Sequence, residues 1–338
     1  MRRALPSILG AIVIAALCGH AQTLGRYRQS RLLMGTLCEI EVYHHAAATA
    51  ERALGAALDE MQRVDRLLTN YDAKSELSAM NREAGRAPFH ASPELFEFLQ
   101  ASARYVAISE RAFDPTVGPL VRAWGFFTPT PARPSDAAVA AARAHSGFDK
   151  VHLDPAARTV SFAVDGMEFD PGGIGKGYAV DRAIRVLRER GVASALVSAG
   201  GSTIFGLGHP PDRDAWRVAV RNPAHEDKPF AFVSLADNAL STSGTSEKFV
   251  ERAGRRFSHL FDPRTGAPVE RMCQASVVSP AAMDSDALTK PAFVLDRDGI
   301  VRVLRGRAAT HALRVEGDCD APRAVWTTPW SDAVFQRK

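Results

Sequence analysis

The stretch Asp170-Pro171-Gly172-Gly173-Ile174-Gly175-Lys176-Gly177 holds the richest chemistry in the sequence. It follows a strand-like segment and opens a helix-like one, so backbone N–H groups in the turn can face an anion. Lys176 adds a mobile positive charge. The spacing matches neither GxxxxGK[ST] nor GxGxxG, so it suits phosphate without being a standard nucleotide loop. A plain strand-to-helix turn is the competing reading. A second group joins Ser241-Thr242-Ser243-Gly244 to His259-Leu260-Phe261-Asp262-Pro263-Arg264-Thr265-Gly266. An imidazole, a carboxylate and a guanidinium there fall near one turn, with His259 a candidate general base and Arg264 a phosphate clamp. Read alone, Asp-Pro-Arg-Thr-Gly is more often just a turn. Asp284, Asp286 and Lys290 form a third group. Asp286 and Lys290 are four apart and share a helix face. A carboxylate there can hold Mg²⁺ if a second oxygen faces it, but an ion pair on a solvated face is the simpler account.

These groups need elements to position them. Arg31 to Tyr43 reads as a strand-like segment. Leu54, Ala57, Leu58, Met61, Val64 and Leu68 recur at helical spacing and predict an amphipathic helix. Tyr71 to Asn81 is polar and loop-like. Pro93 opens a second helix with Leu95, Phe96, Leu99, Ala103 and Val106 on its apolar side. Phe126 to Pro134 is a proline-rich surface excursion, and Val151 to Val164 a hairpin turning near Asp154-Pro155. The glycine turn leads into a helix through Leu187. Strands are expected at 195–197, 216–220, 230–235, 257–261 and 275–278, then a helix from Met283 to about Leu295, kinked at Pro291. The tail after Gly306 reads as a packed strand or arm. Without a steady βαβ alternation, the class is α+β.

The 338 residues are 46% hydrophobic and 24% charged, which excludes disordered, collagenous and coiled-coil chains. The 42 basic residues against 38 acidic ones give a net charge of +4 with no basic block. A nucleic-acid partner is therefore not indicated, while an anionic small ligand is compatible. Arg2 and Arg3 precede an apolar run, Ile8 to Leu17, and Gly19-His20-Ala21 supplies small residues. Residues 1–21 are thus expected to be a cleaved signal peptide and 22–338 the working domain, with a lipoprotein attached through Cys18 as the alternative. The mature chain keeps Cys38, Cys273 and Cys319, enough for at most one bridge and without a metal-binding CxxC. Cys38 reads as a buried strand residue.

In order, these segments resemble the ApbE family of flavin transferases. The resemblance rests on Met34-Gly35-Thr36, Ala112 to Leu120, Asp170 to Asp181, Ser198-Ala199-Gly200-Gly201, Thr242-Ser243-Gly244, His259 to Gly266 and Asp286-Ala287-Leu288. It implies an α+β architecture with mixed and antiparallel sheets and packed helices, resembling the tunnelling fold. It further implies Mg²⁺-dependent transfer of FMN from FAD to a Ser or Thr hydroxyl of an acceptor flavoprotein, with release of AMP. The acceptor would be an exported or membrane-associated electron-transfer protein, and the enzyme periplasmic, soluble or lipid-anchored. FAD hydrolysis and non-catalytic FAD binding are the alternatives.

Carried over position by position, the resemblance gives FAD contacts to Met34, Tyr71, Ala112, Phe113, Asp114, Asp170, Lys176 and Phe261. Lys176 also answers the need to neutralise charge on a pyrophosphate. The metal would meet the Gly173 carbonyl and the Asp286 carboxylate. His259 would receive the hydroxyl proton, and Asp262 would orient it or bind the nucleotide. One position departs from the pattern: the family's usual Thr ligand is replaced by Lys290, with Thr289 just before it. A protonated lysine is no metal ligand. Thr289 is then the replacement oxygen, or Lys290 stands in for part of the metal's charge, or the chain binds FAD but transfers poorly.

Overall fold

Met34 and Gly35 both have positive φ, 55° and 70°, as a two-residue hairpin turn requires. They split the stretch read as one strand-like segment into two antiparallel strands, Gly25–Leu33 and Thr36–His44. The computed structural model describes residues 24–126, 128, 133–245, 249–252, 255–270, 272–317, 319, 322–331 and 334–337. The expected signal segment, Cys18 and most of the proline-rich excursion lie outside them. Eight helices occur among the described residues: α1 (Ala47–Leu68), α2 (Glu76–Glu83), α3 (Pro93–Ile108), α4 (Gly118–Ala123), α5 (Asp136–Ala144), α6 (Gly175–Glu189), α7 (Ala282–Val294) and α8 (Arg297–Leu304).

The main sheet has eight strands in the order Gly25–Leu33, Thr36–His44, Ala195–Ala199, Thr203–Leu207, Asn238–Gly244, Met272–Ser279, His311–Gly317 and Pro322–Thr327. Every pairing described is antiparallel, and the α+β reading holds. Side chains alternate across it. On one face Ile40, Val42, Val197 and Phe205 meet α1 and α6 through Leu54, Met61 and Val180. Further along that face, Ala275 and Val277 meet Leu288, Ala292 and Phe293 of α7. On the other face Leu240, Val278 and Leu313 meet Trp216, Val218 and Val233 of a three-stranded sheet. Strand Met272–Ser279 is buried along its whole length, because helices cover one face and a second sheet the other.

Helices α1 and α3 fall where their apolar spacing places them, and α6 follows the glycine turn as expected; the hairpin at Asp154-Pro155 forms as Val151–Asp154 and Thr159–Phe162. The loop-like reading of Tyr71 to Asn81 needs correction, since Ser75 caps α2 by accepting from Ser78 N–H at 3.0 Å. Only Leu77 and Met80 bury apolar side chains in that short helix, too few to show a period. Cys273 and Cys319 form a disulfide. Cys38 is buried, and its burial pushes its thiol up to about 11, so it is core and not a nucleophile.

Candidate active site

Helices α6 and α7 meet at Gly177. A methyl group there would sit 2.3 Å from the Ala282 carbonyl oxygen, so only glycine permits the approach. The contact is locked from α6 by Asp181, whose two oxygens accept the Ala282 and Met283 N–H groups, each at 2.8 Å. Two first-turn donors of α7 are thereby satisfied. Burial drives Asp181 up to about 6, although both N–H groups oppose the rise. Tyr105 of α3 donates to Asp284 and ties α7 from a second side. Beneath α7, Ser241 bonds Ser285 and Ser243 bonds Thr289, each hydroxyl pair at 2.8 Å. A seam of buried hydroxyls thus fastens α7 to the sheet.

Asp286 is carried into the interior by this packing, and the solvated-face reading of its pair with Lys290 is overturned. The Asp286 and Lys290 side chains are 4% and 16% exposed. Asp286 Oδ2 accepts the Gly177 N–H at 2.9 Å, and Oδ1 accepts Lys290 Nζ at 2.8 Å. Burial works to raise the Asp286 pKa, but Lys290, Lys176 and the Gly177 N–H outweigh it and hold the carboxyl below its ordinary value. Lys290 Nζ also donates to the Asp286 carbonyl at 3.0 Å. Its Cε lies so close to Gly173 that a methyl there would be 3.2 Å away.

Mg²⁺ demands near-octahedral oxygen ligands at about 2.0–2.1 Å. Both Asp286 oxygens are committed, one of them to an ammonium. The Thr289 hydroxyl, expected to supply a ligand, donates instead to the Asp286 carbonyl at 2.7 Å and bonds Ser243. This i,i−3 back-bond is the usual habit of a threonine inside a helix. No group of three His, Cys, Asp or Glu able to hold a metal occurs among the described residues. With Lys290 where it stands, the residues do not fit a divalent cation.

Around this pair the structure gathers several of the expected flavin contacts. Phe113 Cε2 would be 3.1 Å from a methyl on Gly173, and Met34 Cε 3.6 Å from one on Gly175. The Met34 N–H donates to Asp65 Oδ2 at 2.9 Å, which holds the hairpin turn over α1. Glu110 and Arg111 both adopt positive φ, 53° and 62°, and this costly turn delivers Ala112 and Phe113 to the interior. Lys176 is half-buried, and no side-chain ion pair is formed by it among the described residues. The N-cap residue of α6, Ile174, makes no side-chain cap bond, and Asp286 accepts only the Gly177 N–H. The Gly175 and Lys176 N–H groups and the Lys176 ammonium remain for an anion.

Asp114 is buried, accepts from Thr116 N–H, Thr116 Oγ1 and Phe148 N–H at 2.9, 2.6 and 2.9 Å, and is raised in pKa by that burial. Asp170 accepts the Gly172 N–H at 2.7 Å and caps the turn Pro171–Gly173. Tyr71 is 70% exposed and lines an open cleft of about 800 Å³ with Asn81, Pro119, Arg122 and Glu168. The cleft runs beside the glycine turn rather than through it, since Glu168 precedes Asp170 by two residues. His259 stacks edge-on to Phe126 at 6.2 Å, and Phe261 sits 6.0 Å from both Trp124 and Phe126. The turn Pro115–Val117 lies between α4, which ends beside Trp124, and the glycine turn, whose Asp170 N–H donates to the Pro115 carbonyl at 2.6 Å. Asp262 holds Arg264 through two bonds of 2.8 Å.

The fold has known counterparts. The model of the ApbE family matches residues 34–313. The chain belongs to the ApbE family. A FAD:protein FMN transferase of Treponema pallidum is 32% identical over 328 residues, covering 91% of this chain and 90% of that protein. The crystal structure of the ApbE protein of Thermotoga maritima superposes with a TM-score of 0.83 at 26% identity, covering 93% of this chain and all of that one. The apo form of the Pseudomonas stutzeri flavinyl transferase ApbE gives 0.80 at 26% identity, covering 93% and 98%.

Sequence reasoning missed three supports of this ApbE site. Asp181 was seen only as the end of the glycine motif, although an acid one turn from Gly177 could have suggested a cap. Ser243 falls in the group read with His259 and not with α7, and Tyr105 in no group at all. Both act across distances of 46 and 179 residues, for which a single sequence gives no signal.

Proposed function

We propose that this ApbE chain is a FAD:protein FMN transferase that esterifies a Ser or Thr hydroxyl of an acceptor flavoprotein and releases AMP. One observation carries the reading: at the N-terminus of α6 the Asp286 carboxylate takes the Gly177 N–H, which leaves the Gly175 and Lys176 N–H groups and the Lys176 ammonium to meet an anion. The FAD pyrophosphate would lie against the Gly175 and Lys176 N–H groups and the Lys176 ammonium, with Met34 and Phe113 bordering the turn. The acceptor hydroxyl oxygen bonds to the FMN phosphorus as the bond from that phosphorus to the bridging oxygen breaks. The bridging oxygen leaves on AMP, and the hydroxyl proton passes to His259. Lys176 offsets the negative charge that grows on the phosphoryl oxygens. Asp262, anchored by Arg264, stiffens the turn that carries His259. No step is assigned to Mg²⁺.

The Cys273–Cys319 disulfide supports the export reading, in which residues 1–21 direct the chain to an oxidising compartment. The acceptor is then an exported or membrane-associated electron-transfer protein. The test is intact-mass analysis after incubating the mature chain with FAD and such an acceptor. A gain of one FMN on the acceptor with equimolar AMP supports the transferase. Free FMN with AMP and an unlabelled acceptor points to hydrolysis, and unaltered bound FAD to a flavin binder.

A further inference from the structure

We infer that the Lys290 ammonium is a built-in replacement for the divalent cation, so that this chain binds FAD without added metal and, on the function proposed above, turns it over without metal as well. The ammonium sits 2.8 Å from Asp286 Oδ1 and 3.0 Å from the Asp286 carbonyl, with its stem against Gly173. It therefore occupies the corner between the carboxylate and the glycine turn, where a cation would bridge protein to pyrophosphate. The four-residue spacing on α7 keeps the stem on that side, and the hydroxyl seam at Ser243 and Thr289 fixes the rotation of the helix. A divalent ion entering the corner would have to expel a lysine that is 16% exposed or sit beside its charge. Lys290 neutralises Asp286, so the positive charge of Lys176 stays uncancelled toward the anion. The arrangement exchanges a removable dication for a fixed monocation.

The decisive measurements use the wild-type chain and Lys290→Thr, each in EDTA and in millimolar Mg²⁺. FAD affinity of the wild type is expected to change less than about twofold between the two, and Mg²⁺ alone to leave its melting midpoint unmoved. Lys290→Thr frees the corner and restores an oxygen. Its FAD affinity is expected to fall by about tenfold or more in EDTA and recover with Mg²⁺, which also raises its midpoint. A wild type that loses FAD by tenfold in EDTA, or that Mg²⁺ stabilises, overturns the inference. So does a folded Lys290→Thr indifferent to metal. If Lys290→Thr does not fold, the wild-type measurements decide alone. Metal-indifferent FAD binding with no labelled acceptor and no AMP would sink the transferase reading while leaving this inference standing.

Discussion

Two carboxylates, each with a basic residue a few positions along, end in opposite settings. Asp286 and Lys290 lie inside α7, 4% and 16% exposed, while Asp262 and Arg264 close a surface turn at 18% and 40%. The second pair forms two parallel bonds between fork and carboxylate and keeps much of its hydration. The first has given up water on both sides, a loss that attraction repays only with good geometry and further hydrogen bonds. The Gly177 N–H and the nearby Lys176 supply that help. Pairing alone therefore says little about a site. A pair that spends packing, a required glycine and a hydroxyl seam to stay buried marks a place where charge is held for use.

The contrast breaks most visibly at Lys290. Lys290→Met leaves Asp286 buried and charged with one partner fewer, and is expected to cost about 3–5 kcal/mol in denaturant unfolding. Adding Asp286→Asn should recover a good part of that loss, a coupling that a double-mutant cycle reads directly. The sign with pH follows from the depressed wild-type pKa of Asp286. Its stabilising contribution is present above the ordinary aspartate pKa, about 3.8, and lost as pH falls through the lower folded value. In Lys290→Met burial dominates and the carboxyl protonates earlier. The stability gap between the two proteins should thus narrow from pH 7 toward pH 3; a gap constant with pH would mean that Asp286 carries no charge there.

Next in size is the packing that holds the buried pair. Gly177→Ala forces a methyl onto the Ala282 carbonyl, and overpacking of this kind costs about 1–3 kcal/mol. It should also draw the Gly177 N–H off Asp286, so weakened FAD binding is expected together with a lower melting midpoint. Ser243→Ala removes one hydroxyl partner of Thr289 and should cost about 1 kcal/mol. If Ser243→Ala proves neutral, the seam does not hold α7 and its rotation must be set by Asp181 and Tyr105.

How much of this was legible depends on how each element is covered. Helices α1 and α3 show one apolar face, and spacing alone locates them, while the glycine turn announces α6. Helix α7 lies between α6 and the sheet, with Ser285, Asp286 and Thr289 as buried as Leu288 and Phe293. It therefore has no apolar period, and its ion pair reads as a surface pair until the partners are seen. The order of motifs named the family, and the Lys290 departure was visible in sequence. The choice among its three readings was not, because it depends on the surroundings of Gly173, more than a hundred residues away. Asp114 and Asp170, which motif position marks for ligand contacts, also build turns, a role their motif position did not suggest.

The exposed pair gives the smallest stability change and the sharpest test of its role. Arg264→Ala removes a fork that is 40% exposed, and pairs of that kind are worth about 0–1 kcal/mol. The melting midpoint should therefore barely move. If the pair stiffens the turn that carries His259, transfer should still slow, with FAD affinity kept within about threefold, less than 1 kcal/mol. His259→Ala should show the same split with a larger rate loss, about a hundredfold or more, as expected when a positioned proton acceptor is removed. A matching loss of FAD affinity in either variant would move that residue from proton transfer to nucleotide binding. Arg264→Ala with unchanged rate and affinity would reduce the Asp262–Arg264 pair to a turn, the reading that Asp-Pro-Arg-Thr-Gly invites on its own.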